Sequence, residues 1–220
     1  MSEQVYTLIA DFSITGNAAY LSHQETLTLF ERAMIRAEVP LIFSSGFNPR
    51  PHLSIPLPRS VGVQSAAERL CAAVRFSKGI IPQDLSGGIQ RQLPVGCTIR
   101  QIQCREGKIT FQPRSVRYAF FVEPPAETAL MQHCQQCRQS IQDKRPIEVQ
   151  RLNAKTGHFV KLDISPFVEK MDIFADRIEL VCRVSPAGTV RVDEMMQWLH
   201  LDQPMLREPV LRMEVQWEQN

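Results

Sequence analysis

The chain has 220 residues, 25 Lys/Arg against 23 Asp/Glu, and 44% hydrophobic residues, which is the composition of an ordinary globular protein with a real core. Its length suits one large domain or two small ones, and a net charge of +2 is below what a dedicated nucleic-acid binder carries. No apolar run approaches the ~20 residues of a membrane span, and the start, MSEQVYTLIADF, lacks a basic region before an apolar core, so no membrane association and a cytoplasmic location are expected.

Residues 6–14 (YTLIADFSI) alternate and read as a strand. Ser22 with Glu25 forms a capping-box pattern that starts a helix. Leu27, Phe30, Met34 and Ala37 give that helix a buried face, and Pro40 ends it. Residues 41–44 and 53–57 read as short strands around a polar loop, Ser44-Ser45-Gly46-Phe47-Asn48-Pro49-Arg50-Pro51-His52. Alternation of Leu70, Ala72, Val74 and Phe76 favours a strand over residues 68–76. A short helix over 82–92 and a strand over 98–104 (TIRQIQC) complete the first half.

Pro113-Arg114-Ser115 reads as a seam. A second cycle follows: a strand over 117–122, a helix over 127–140, strands over 147–152 and 158–164, and a short helix over 166–170. A strand over 177–184, a helix over 191–199 and a closing strand over 210–217 end the chain. Both halves read strand, helix, strand, strand, helix, strand, with extra strands in the second. The expected fold is α+β: two ferredoxin-like βαββαβ-type units packed side by side, residues 1–112 and 113–220.

The loop at 44–52 is the strongest candidate site. Loops on rigid scaffolds carry binding residues. Gly46 permits a positive φ, while Pro49 and Pro51 hold Asn48 and Arg50 extended. Asn48, Arg50 and His52 are spaced two apart, so an extended loop aims them to one side. An amide, a guanidinium and an imidazole suit phosphate or carboxylate. The competing reading is a rigid structural loop with Arg50 solvated. His23 stands at the first helical position, where the helix dipole favours the neutral ring. It serves as a base, a hydrogen-bond donor or a metal ligand, or simply bonds the neighbouring loop. His23, Ser45, Asn48, Arg50 and His52 form the candidate binding set.

The six cysteines are expected as reduced thiols. Cys134 and Cys137 make a CxxC, but no second one exists, and mid-helix placement reads as thiol packing rather than a metal or redox site. Arg151, Lys155, His158 and Lys161 form a small basic group on a solvated hairpin. Asp163 reads as a helix cap, and Asp193 and Glu194 as helix-start acids. No phosphate loop, GxGxxG, GxSxG or HExxH occurs, and no cofactor or metal is expected. Residues 1–160 hold 18 Lys/Arg and 12 Asp/Glu, residues 161–220 hold 7 and 11, so a basic front permits an anionic partner.

One pattern spans nearly the whole chain: Leu21-Ser22-His23, Glu31-Arg32-Ala33, Pro40-Leu41, Gly46-Phe47-Asn48-Pro49-Arg50-Pro51, Leu53-Ser54, Pro56-Leu57 and Val61-Gly62-Val63. Lys155-Thr156-Gly157, Leu162-Asp163-Ile164-Ser165-Pro166 and Val190-Arg191-Val192-Asp193-Glu194 continue it. This pattern resembles the radical-SAM-associated (radical-SAM-linked) family, whose members occur fused to or beside radical SAM proteins and often near ribosome and ribonuclease genes. The resemblance implies a non-catalytic accessory protein that works with a radical SAM enzyme and binds RNA or another phosphate-bearing substrate. The chain has no C-x3-C-x2-C signature, so the radical chemistry falls to the partner. The alternative is a metal-independent endoribonuclease or RNA-modifying enzyme with His23 as general base and Arg50 on the phosphate. Nucleases of that architecture have a glycine-rich C-terminal loop, which this chain lacks. A third reading is a protein-interaction domain centred on Met195, Trp198 and Trp217.

Overall fold

The structure is a computed structural model that describes residues 3–77, 84–122, 128–153 and 156–219. It is α+β, with four α-helices among the described residues. The chain divides into two compact units, residues 1–112 with 217–220 and residues 113–216.

In the first unit, β1 (Glu3–Ile14) is central. It pairs antiparallel with β3 (Gln64–Ser77) on one side and β4 (Cys97–Glu106) on the other. A two-residue strand, β2 (Leu53–Ser54), pairs β3 at Ala72 and Cys71, giving the order β4-β1-β3-β2. Alternation dictates the faces. Tyr6, Leu8, Ala10, Phe12 and Ile14 of β1 are buried with Leu70, Ala72, Val74 and Phe76 of β3. They pack with Phe30, Ala33 and Met34 from α1 (His23–Arg36) and Ile89 from α2 (Leu85–Gln90). The Phe12 and Phe30 rings meet at 4.4 Å, tilted by 53°, a contact worth on the order of 1 kcal/mol beyond area burial. On the opposite side of β1, Arg69 makes a bidentate pair with Asp11 at 2.7 and 2.9 Å. Its guanidinium also lies 4.5 Å from the Phe111 ring centroid and 5.2 Å from that of Trp217.

The second unit also combines strands with two helices. Its elements are β5 (Phe111–Phe121), α3 (Thr128–Gln142), β6 (Glu148–Leu152), β7 (Phe159–Asp163), β8 (Val168–Ile173), β9 (Arg177–Arg183), α4 (Val192–Leu199) and β10 (Leu211–Gln219). The strand order is β10-β5-β9-β8, with β9 antiparallel to both β5 and β8. β6 and β7 form a separate antiparallel hairpin between α3 and β8. Arg151 of this hairpin binds Glu194 of α4, with Nη2 2.9 Å from the carboxylate.

Several sequence expectations change in detail. The strand expected over 53–57 shrinks to Leu53–Ser54, because Pro56 and Pro58 offer no N–H to a ladder. The strand expected over 41–44 is reduced to isolated bridges, Leu41 to Val74 and Phe43 to Pro51. The seam read at Pro113-Arg114-Ser115 lies inside β5, and the boundary between the units falls between Gln112 and Pro113. The short helix expected over 166–170 is a 3₁₀ turn, Ser165–Phe167, followed by β8. A register break between Val168 and Lys170 leaves Val168 and Met171 buried three apart, and that spacing imitates a helix. The 82–92 helix is observed as α2, capped by Asp84, with residues 82 and 83 outside the described residues. Glu127 and Lys155 also lie outside them.

Candidate functional site

The site is built along residues 71–75 of β3. Pro40 O accepts from Arg75 N (2.9 Å), Ile42 N donates to Ala73 O (2.9 Å), and Ala73 N donates to His52 O (2.9 Å). Leu53 and Ser54 then pair Ala72 and Cys71. The chain therefore lies along β3 at 40–42, leaves it, and rejoins it at 52–54. Residues 43–51 are an excursion out of this pairing.

The neck of the excursion is closed by two backbone bonds, which together make the Phe43–Pro51 bridge, and by one side-chain bond. His52 N donates to Ile42 O at 2.9 Å. Phe43 bridges Pro51. Ser44 clamps Arg50 twice: Ser44 N donates to Arg50 O at 2.8 Å, and Ser44 Oγ accepts from Arg50 N at 3.0 Å. Pro49 and Pro51 restrict the remaining freedom. Gly46 sits at φ 131°, which side-chain-bearing residues avoid.

This stiff loop holds its side chains outward. Ser45, Asn48, Arg50 and His52 are exposed, and among the described residues none of these four side chains has a hydrogen bond or ion pair. Phe47 has a relative exposure of 105%. There is no Asp or Glu between Glu38 and Glu68, so no carboxylate within this stretch opposes an anion there.

His23 is the first residue of α1 and is half-buried. The capping box beside it is complete: Glu25 N donates to Ser22 Oγ (3.2 Å) and Ser22 N donates to the Glu25 carboxylate (2.8 Å). Hydrogen bonds from the Ser22 hydroxyl and backbone hold the Glu25 carboxyl below its ordinary range. Among the described residues no hydrogen bond, ion pair or ring contact joins His23 to Asn48, Arg50 or His52.

Two positioning residues escaped the sequence reading. Ser44 is one. The other is Arg59, whose buried guanidinium donates to Ala19 O (2.6 Å), Val63 O (2.6 Å), Leu21 O (2.9 Å) and Ser60 O (3.1 Å). Gly62 N adds a bond to Ala19 O at 2.9 Å. Together they fasten the 59–63 turn to the segment that leads into α1 and His23. The available signal was slight: Arg59 follows Pro58 within a stretch otherwise free of charge except for Arg50.

Elsewhere the chemistry is committed to structure. Cys134 and Cys137 are buried on α3, and burial pushes their thiols up to about 11 and about 12. The His133 Nε2 lies 2.8 Å from Trp198 O and its ring stacks on His200 at 3.9 Å. Arg151 and Lys161 of the hairpin pair with Glu194 and Glu148, so they are not a free basic patch. Asp163 accepts from Ile147 N and Ser165 N, both at 2.9 Å, linking two segments as well as serving the following turn. Among the described residues no three His, Cys, Asp or Glu side chains are grouped to hold a metal ion, and no helix is long and apolar enough to cross a membrane.

The family described as uncharacterized protein conserved in bacteria (DUF2344) matches residues 8–197, and the chain belongs to it. No curated protein matches. Among solved structures, an unknown protein from Galdieria sulphuraria is similar over 82% of this chain and 81% of its own, at 12% identity and a TM-score of 0.28, a likeness that carries no argument.

Proposed function

We propose that this DUF2344 protein is a non-catalytic binding protein, and that the excursion at 43–51 with His52 takes an anionic, phosphate-bearing substrate such as RNA for a radical SAM partner enzyme. One observation carries the reading. A loop closed by two backbone bonds and a Ser44 hydroxyl bond presents Asn48, Arg50 and His52 with no partner among the described residues. Stiffness matters because a pre-ordered loop loses little entropy on binding. Guanidinium, amide and imidazole donors are the groups that phosphate oxygens accept from. The partner rests on the resemblance of the Leu21-Ser22-His23 and Gly46–Pro51 motifs to the radical-SAM-associated family.

The scaffold fits a binding role. Both units are read as ferredoxin-like, a reading supported by their matching orders, β4-β1-β3-β2 and β10-β5-β9-β8. In each, two helices lie between strands in the order βαββαβ, with β6 and β7 as an insertion in the second. The test is capture from native cell extract with wild type and an Asn48→Ala/Arg50→Ala variant, identifying retained protein and RNA. Retention of RNA or a radical SAM enzyme by wild type, lost in the variant, supports the reading. Equal recovery by both makes the loop structural.

A further inference from the structure

We infer that the excursion is a stacking platform for single-stranded nucleic acid: the Phe47 ring takes the face of an unpaired base, and Arg50 and His52 take the flanking phosphates. This rests on the anion-binding reading above and narrows its ligand. Phe47 has a relative exposure of 105% on a loop whose backbone is pinned at both sides of its neck. A phenyl ring held in water on a stiff loop contributes nothing to the core, whose aromatic members, Tyr6, Phe12, Phe30 and Phe76, are all buried.

The surroundings of the ring select the ligand. Its sequence neighbours are Ser45, Gly46, Asn48, Pro49 and Arg50, all exposed. A protein anchor of comparable exposure belongs to a cluster of apolar residues that bury one another on docking; the other exposed aromatic of the excursion, Phe43, is 44% exposed and held at the neck opposite Pro51, and Phe47 is the fully exposed one. One exposed aromatic ring on the same loop as a guanidinium, with no carboxylate between Glu38 and Glu68, is instead the composition that single strands use: stacking for the base and cations for the backbone. A duplex keeps its base faces inside the stack and offers this ring nothing.

The experiment uses the full chain and 5′-labelled 12-mers of RNA and DNA of one sequence, the corresponding RNA duplex, and pyrophosphate as competitor, read by fluorescence anisotropy over a salt series. Phe47→Ala, Phe47→Trp and Arg50→Ala are compared with wild type, with Phe159→Ala on the second unit's hairpin, a 66% exposed aromatic, as control. The expected result is a preference for single strands over the duplex of about tenfold or more. Phe47→Ala should lose roughly 5- to 150-fold with the salt slope unchanged, and Phe47→Trp and Phe159→Ala should bind as wild type. Arg50→Ala should lower the salt slope by about one. RNA and DNA single strands binding alike assigns the site to bases and phosphates in general, and a preference for RNA adds a 2′-hydroxyl contact.

Equal binding of duplex and single strand, or of Phe47→Ala and wild type, overturns the platform. If Arg50→Ala still weakens binding and pyrophosphate still competes in that case, the anion-binding reading survives alone. No binding of any nucleic acid or pyrophosphate sinks both. Loss of a captured protein by Phe47→Ala without nucleic-acid binding overturns the platform in favour of a protein anchor. Circular dichroism melts of each variant confirm that an exposed side chain was removed from a folded chain.

Discussion

Replacing Arg59 tests how the first unit is fastened together. Its guanidinium satisfies the carbonyls of Ala19, Leu21, Ser60 and Val63, and the residue is 7% exposed. A hydrogen bond from a charged donor is worth about 1.5–3 kcal/mol, and a buried acceptor left unpaired costs about 1–3 kcal/mol. Desolvating the guanidinium offsets part of the gross gain, so the acceptor penalty sets the scale. Ala19 O keeps its bond from Gly62 N, so the Leu21 and Val63 carbonyls set the loss and put Arg59→Ala at about 2–6 kcal/mol. That is a large share of the ~5–15 kcal/mol that stabilises a typical domain. Arg59→Lys keeps the charge but replaces a planar fork with a single ammonium, and about half the loss is expected, ~1–3 kcal/mol. Urea unfolding gives the stability change, and hydrogen exchange at residues 15–22 and 59–63 locates it. An Arg59→Ala protein within ~1 kcal/mol of wild type, with unchanged exchange at those amides, would refute the reasoning.

Three further outcomes are expected. Glu194 is desolvated by burial, which works against ionisation, but hydrogen bonds from Arg151 and the Arg191 N–H, with both arginine charges, outweigh it and hold the carboxyl below its ordinary 4.5. A depressed folded value means that the stabilisation is complete above the unfolded value and is lost as pH falls below about 4.5. Glu194→Gln should therefore cost about 2–3 kcal/mol at pH 7, discounted for the partly exposed Arg151, and the gap from wild type should close on acidification; a gap constant down to pH 3 on urea titration contradicts this. The raised thiols of Cys134 and Cys137 should react with iodoacetamide at pH 8 at least ~10-fold more slowly in native than in urea-unfolded protein, and mass spectrometry showing equal rates removes the packing account. Gly96 sits at φ +92° with its Cβ position 2.4 Å from Thr15 O, so Gly96→Ala should cost about 2 kcal/mol or more in thermal unfolding, and a melting temperature equal to wild type would show that the turn relaxes freely.

The fold was legible where the side-chain period was unbroken. β1 and β3 show their alternation along most of their length, and the Ser22–Glu25 box marks the start of α1 to the residue. It was illegible where an irregularity changes the period. The break between Val168 and Lys170 turns a strand into a helical-looking spacing. The segment beside β3 was read as two independent strands, because its excursion separates Leu41 from Leu53 by a polar loop while both still bond the same neighbour. Pairing partners are remote in sequence, and nothing local reports that two segments share one neighbour.

The loop and the turn that follows it divide along the same line. Pro49-Arg50-Pro51 and Pro58-Arg59 are nearly alike on paper, yet Arg50 is exposed and Arg59 is buried on backbone carbonyls. Every residue carries a carbonyl, so an arginine that bonds the backbone leaves no complementary residue type to find. A carboxylate partner does leave one, as Arg69 with Asp11 does. Ser44 was hidden for the same reason, since its hydroxyl and N–H both engage the backbone of Arg50. What sequence conveys is the chemistry on offer, here Asn48, Arg50 and His52; what it hides is the backbone bonding that stiffens their presentation and the full exposure of the Phe47 ring. Loosening that bonding while sparing the side chains, as Ser44→Ala does, should therefore weaken ligand binding by a few-fold, on the scale of one ~1 kcal/mol hydrogen bond. Unchanged affinity in that variant would mean that the loop orders itself only when the ligand arrives.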